Sequence, residues 1–275
     1  MNKIFTALIV TSIAAGQGYV GQQFGNGSIN YSDRKIQATG IGAIPDIALT
    51  NAAQARRAAL RIAKVDAMRN LVEIVNGITV DSETTMSDAM FDDVIKTQVR
   101  GVIRGAVQIG DVKYLSDTSI EVTYEVPMSG ISEIMTPPSS PSPTGDVVPS
   151  GTLGSGLAAP TTSAVTGIII DARGLGVRPA MSPRLLDQNG GVVYGPNNYN
   201  RQYAITNGVA GYSKTPEAAS QDQRVMGNPL MVKAVATTGT NKADVVLGNS
   251  DVMKIKSADT SHGVLRDCRV LILLD

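Results

Sequence analysis

Between Pro45 and Asn76 apolar residues return every three or four positions. Leu60, Ala63, Ala67, Leu71 and Ile74 fall on one helical face, and Arg57, Arg61 and Lys64 fall on another. The pattern predicts a long helix from about Pro45, a residue suited to a first helical turn, to Asn76, with Gly77 as its stop. Asn51 and Gln54 offer a later start, as a local capping pair, if the chain breaks near Leu49. Upstream, Lys35 to Gly40 alternates polar and apolar residues and predicts a strand. Gly40, Gly42 and Pro45 read as the turn that ends it. Downstream, Ile78 to Thr85 alternates and is rich in β-branched residues, which predicts another strand. Ser87 to Lys96 reads as a short acidic helix. Val99 to Tyr114 and Ser119 to Val126 predict a hairpin about residues 115–118. In its second arm Ile120, Val122, Tyr124 and Val126 point one way, so one face of the sheet is wet. Residues 17–135 thus predict a small α+β unit, a long helix packed on a mostly antiparallel sheet.

The periodicity stops at Thr136. Through Ser163 the chain is Pro-, Ser-, Gly- and Thr-rich with a single charge, so it cannot bury enough surface to offset chain entropy and reads as a disordered linker. Residues 164–275 then predict a second, mixed α/β unit. Gly167 to Gly174 is a buried-strand run, and Arg184 to Gly195 a hairpin turning at Asn189-Gly190. Thr215 caps a short helix; 229–237 and 243–247 are strands; 249–258 is a helix or an irregular segment. Arg269 to Asp275 closes the chain as a continuous apolar strand, a pattern usual at the centre of a sheet.

Charge sharpens this division. The whole chain is formally neutral, but residues 17–135 carry 11 basic and 14 acidic side chains and residues 164–275 carry 12 and 9. The zero net charge argues against a chain-wide basic surface for nucleic acid. One His and one Cys leave too few ligands for a zinc site, and no cofactor is expected. At the N-terminus Lys3 precedes the apolar run Ile4 to Ala15, followed by small residues. That pattern predicts a secretory signal peptide over 1–16, too short to span a membrane, and no later run reaches spanning length. The expected product is a periplasmic or outer-membrane-peripheral protein without a transmembrane span. No Cys near the cleavage region could be lipidated.

Candidate chemistry is sparse. Asp171, Arg173, Arg178 and Arg184 follow one strand end; they read either as an ion-pair network or as a pocket for an anionic ligand. Arg57, Arg61 and Lys64 form either a solvated helix face or a face for the envelope or a partner. Asp88, Asp92 and His262 lack the companions that metal binding or hydrolysis needs. Gly40-x-Gly42 and Gly174-x-Gly176 lack the third glycine of a dinucleotide loop and read as turns. Cys268 reads as a half-buried strand residue, since free Cys often packs as a small hydrophobe, with a reactive or bridging thiol as the alternative.

Residues 39–129 resemble a known family. Its features are an Ala/Arg-rich helix ending in glycine (here Ala52 to Gly77), Thr39-Gly-Ile-Gly42 before it, and a hairpin ending Val122-Thr-Tyr-Glu-Val126 after it. The family comprises small bacterial outer-membrane lipoproteins and the N-terminal domain of flagellar assembly protein T. The resemblance implies a non-enzymatic envelope protein acting by assembly. It implies a homo-oligomer with outer-membrane or flagellar basal-body proteins as partners, and brings no catalytic residues. The second unit looks like a region found in exported proteins of unknown role.

Overall fold

The structure, a computed structural model, describes residues 18–43, 51–115, 119–136 and 164–275. The signal-peptide segment, Pro45, the hairpin turn at 116–118 and linker residues 137–163 lie outside the described residues. The chain is α+β, with an antiparallel sheet under a long helix followed by a mixed sheet with helices.

The first sheet contains β1 (Gly21–Phe24), β2 (Gly27–Asn30), β3 (Lys35–Gly42), β4 (Val107–Tyr114) and β5 (Ile120–Pro127) in the order β1-β2-β3-β5-β4, with every pair antiparallel. Across it lies α1 (Ala52–Asn76), whose described start is capped by Asn51, its side chain accepting from the Gln54 N–H at 3.1 Å. Two details depart from the sequence pattern. Leu60 is 37% exposed, and the buried stripe in that half of α1 is Ala55, Ala59, Ala63 and Ala67. Gly40 and Gly42 are not a turn but the last part of β3. One cause explains both. A Cβ on Gly40 would stand 2.2 Å from the Ala63 carbonyl oxygen, and one on Gly42 would stand 2.1 Å from that of Ala59. Helix and strand backbones approach so closely that only Gly and Ala fit between them, so Leu60 turns outward.

The segment after α1 also differs. Residues 78–85 form a tight loop joined by the single bridge Thr79–Thr85, not a strand. The acidic helix divides into α2 (Met86–Ala89) and α3 (Asp93–Arg104), and α3 takes in the first residues expected of the hairpin. The period decides it. Val99 and Ile103, four apart, are the buried residues of α3, while Asp92 caps the helix through the N–H groups of Val94 and Ile95. Beyond β5, α4 (Met128–Met135) had no clear sequence signal.

The second sheet contains β6 (Ile168–Asp171), β7 (Leu185–Leu186), β8 (Val192–Tyr194), β9 (Gly211–Ser213), β10 (Leu230–Thr238), β11 (Asp244–Leu247) and β12 (Val270–Leu273), ordered β8-β7-β11-β10-β6-β12-β9. Helices α5 (Arg201–Asn207), α6 (Pro216–Gln221) and α7 (Asn249–His262) accompany it. Thr215 caps α6, and Gly190 takes the positive φ of the β7–β8 turn, as the sequence suggests. β12 lies between β6 and β9, with all four residues buried. Its alternation feeds two cores: Val270 and Ile272 join the main one, while Leu271 and Leu273 pack with Ile169, Ala219 and Val225 on the opposite face.

The main core runs without interruption from the first sheet into the second. Tyr31 meets Tyr212 edge to face at 6.0 Å between ring centroids, and the Tyr212 hydroxyl donates to the Ala180 carbonyl. The 78–85 loop spends its backbone groups across this junction. Met181 N–H donates to Thr79 O, Ser182 N–H to Val80 O and Asn241 N–H to Ser82 O. The alternating pattern that predicts a strand there belongs to a segment bonded to the other unit.

Candidate functional site

At the junction of the two units is a cleft of about 630 Å³, walled by the β2–β3 turn on one side and by the end of α5, Arg224 and residues 267–269 on the other. Arg34 and Arg224 approach the same helix end within it. Arg34, held in a left-handed backbone conformation at φ 56°, donates to the carbonyls of Ile205 and Thr206 and to the Ser132 hydroxyl. Arg224 donates to the carbonyls of Asn207, Gly208 and Cys268. Two glycines give them room: a Cβ on Gly208 would meet Arg34 Nε at 3.0 Å, and one on Gly211 would meet Arg224 Nε at 3.0 Å. The last carbonyls of a helix attract cations, so α5 supplies the negative pole for both. Among the described residues neither guanidinium forms an ion pair. Burial, then the like charge of Arg224, draws the Arg34 guanidinium down to about 10. Burial lowers Arg224 as well. This arrangement clamps one unit to the other through a helix terminus. No sequence signal marked it, because its acceptors are backbone atoms.

Asp171, Arg173, Arg178 and Arg184 do not form one site. Asp171 receives Arg173 in a two-pronged contact, Nε at 2.8 Å and Nη2 at 2.7 Å. Hydrogen bonding from Arg173 holds the Asp171 carboxyl below its ordinary range. Arg184 instead meets the buried Asp244, with Nε at 2.8 Å from Oδ2, which raises the Arg184 guanidinium. Arg178 is exposed and uses its backbone N–H on the Lys242 carbonyl. The arrangement is two separate ion pairs and a surface cation.

Arg57, Arg61 and Lys64 are exposed on the outer face of α1, and none forms an ion pair among the described residues. Lys64 stands 5.7 Å above the Tyr124 ring, and the neighbouring Arg56 lies 6.0 Å from that of Tyr114. Val65, 58% exposed, lies among these cations.

Asp88 and Asp92 cap α2 and α3, and Asp93 begins α3. His262 ends α7 in the other unit. Among the described residues no three His, Cys, Asp or Glu side chains converge where a metal ion could sit. Cys268 is fully buried in the turn before β12 rather than half-buried in a strand; its thiol is free within the chain, and burial pushes that thiol up. Gly174 and Gly176 take positive φ, as turns require. Among the described residues no helix is long and apolar enough to cross a membrane.

Residues 167–275 match the family model described as Treponema pallidum Tp0624, second domain. The match begins one residue before β6 and covers the whole second sheet. No curated protein matches the chain.

Proposed function

We propose that this chain is an exported, non-enzymatic protein of the bacterial cell envelope that works by assembly, associating with copies of itself and with outer-membrane-associated proteins. The observation that carries this reading is the outer face of α1. Three cations stand there without ionic partners among the described residues, beside exposed apolar side chains, on a helix fixed rigidly to its sheet. Such a face is built for contact with another surface.

Two sequence features support the address. The N-terminal pattern of Lys3, an apolar run and small residues favours export. The likeness of residues 39–129 to outer-membrane lipoproteins and to flagellar assembly protein T favours a place at the outer membrane, with a flagellar basal body as one setting. The second unit's likeness to a domain of a bacterial protein agrees with that source. Clamped across the 78–85 loop and Arg34, the two units would present their surfaces in a fixed relation.

Fractionation of the native host tests the reading. The chain is expected in the envelope fraction with its mature N-terminus near residue 17. Recovery from the cytoplasm with Met1 intact would contradict it.

A further inference from the structure

We propose that copies of this chain join head to tail, the corner where α2 meets α3 docking on the outer face of α1 of the next copy. This names the partner for the assembly reading above and rests on it.

The two surfaces complement each other. At the corner Phe91 is 86% exposed and Val94 is 65% exposed, both unusual for large apolar side chains. Asp88, Asp92 and Asp93 surround them. Asp88 and Asp92 are held in place by capping bonds, the Thr85 hydroxyl at 2.7 Å and the Val94 N–H at 2.7 Å, which orient their charges without neutralising them. The face of α1 is the reverse: Arg57, Arg61 and Lys64 around an exposed Val65. None of these six charged groups forms an ion pair among the described residues.

The two surfaces cannot meet within one chain. Arg57 and Gly77 are separated by most of α1, about 30 Å at the helical rise per residue. The corner lies at that far end, because the Met86 N–H, at the start of α2, donates to the Ile78 carbonyl at 2.8 Å. A contact between two different patches on identical chains is heterologous. It propagates, closing into a ring or extending as a filament according to the rotation between copies. Charge brings the surfaces together, and burial of Phe91 against α1 holds them.

Sedimentation velocity on protein purified from the envelope fraction, at low salt, tests this with Arg61→Glu, Asp93→Lys, their combination and Phe91→Ser. Circular dichroism verifies that each variant is folded. All three positions are exposed and outside the core. Either charge reversal is expected to weaken association about tenfold or more, as like charges then face each other. Phe91→Ser is expected to weaken it as well. The double variant should recover to within about threefold, since its charges are exchanged but remain opposite. An equimolar mixture of the two single variants should also reassociate, because each keeps the surface the other has lost. The proposal is overturned if either reversal leaves association unchanged, or if the double variant is no better than the singles. Envelope protein that sediments as a single chain removes head-to-tail docking and leaves the envelope address standing. Cytoplasmic recovery removes the address, while the charge exchange still decides the docking.

Discussion

Gly40 and Gly42 carry the heaviest local constraint in the first unit. Their neighbours across the gap are backbone atoms of α1, which cannot rotate away as a flexible side chain could. Gly40→Ala is therefore expected to destabilise the chain by about 3 kcal/mol, as an overpacked core does. Gly101→Ala is the control: it lies in α3 with nothing within 4 Å of its added Cβ, and should stabilise by about 0.8 kcal/mol. Urea titration of both variants checks this, and equal effects would contradict the close approach. Asp171 has a pH signature. Its folded carboxyl is held low by hydrogen bonding from Arg173, so it contributes stability above the unfolded value and loses it as pH falls through the folded one. The stability gap between the native chain and Asp171→Asn should be full at about pH 6 and shrink steadily below about pH 4. A gap independent of pH would show that the pair with Arg173 does not form in solution. At this scale the sequence was legible where a residue's task is local, as with the caps Asn51 and Thr215 and the turn glycine Gly190. Gly40 and Gly42 carry no local mark of their role, because the helix that needs them lies about twenty residues away in the chain.

Elements followed their hydrophobic period where it was strong. Strand β5, the β6 and β12 runs and the described length of α1 lie where alternation or helical spacing put them, while the first arm of the hairpin begins at Val107 and not at Val99. The 78–85 loop did not, because alternation records which side chains are buried, and this loop is buried against the other unit. Helix α3 was hidden because β-branched residues at its end favour strands locally, while packing of Val99 and Ile103 overrides that preference. The Arg34 clamp could not have been read at all, since it binds carbonyls of α5 that carry no residue signature. It also makes the strongest statement about how the elements are joined. Arg34→Ala removes bonds to Ile205, Thr206 and Ser132, of which those to the Ile205 carbonyl and the Ser132 hydroxyl are part-buried. A loss of about 2 kcal/mol is expected, as for hydrogen bonds from a charged group. Calorimetry should show the single unfolding transition broaden or divide as the units uncouple. An unchanged single transition would mean that the shared core alone couples them.

Over the whole molecule, neutral total charge conceals a strongly uneven surface. The α1 face gathers Arg57, Arg61 and Lys64, while the α2–α3 corner gathers Asp88, Asp92 and Asp93, so the sum says little about what the surface attracts. The cations were visible in the sequence as a helical stripe. The apolar half of the argument was not, because exposure of Phe91 and Val94 depends on the break between α2 and α3. The second unit, whose likeness is to a domain described only by its source, adds a sheet whose strands β6 and β12 are buried on both faces and a clamp that keeps the two units in register. The proposed assembly needs its surfaces presented at a fixed angle, and the continuous core supplies that rigidity. The most direct test is sedimentation velocity of the protein purified from its native host, at low and then at high salt. Species larger than one chain at low salt that dissociate as salt rises are expected, since screening weakens the attraction between the two charged faces. A single species of one chain's mass at low salt, even at tens of micromolar, would contradict it.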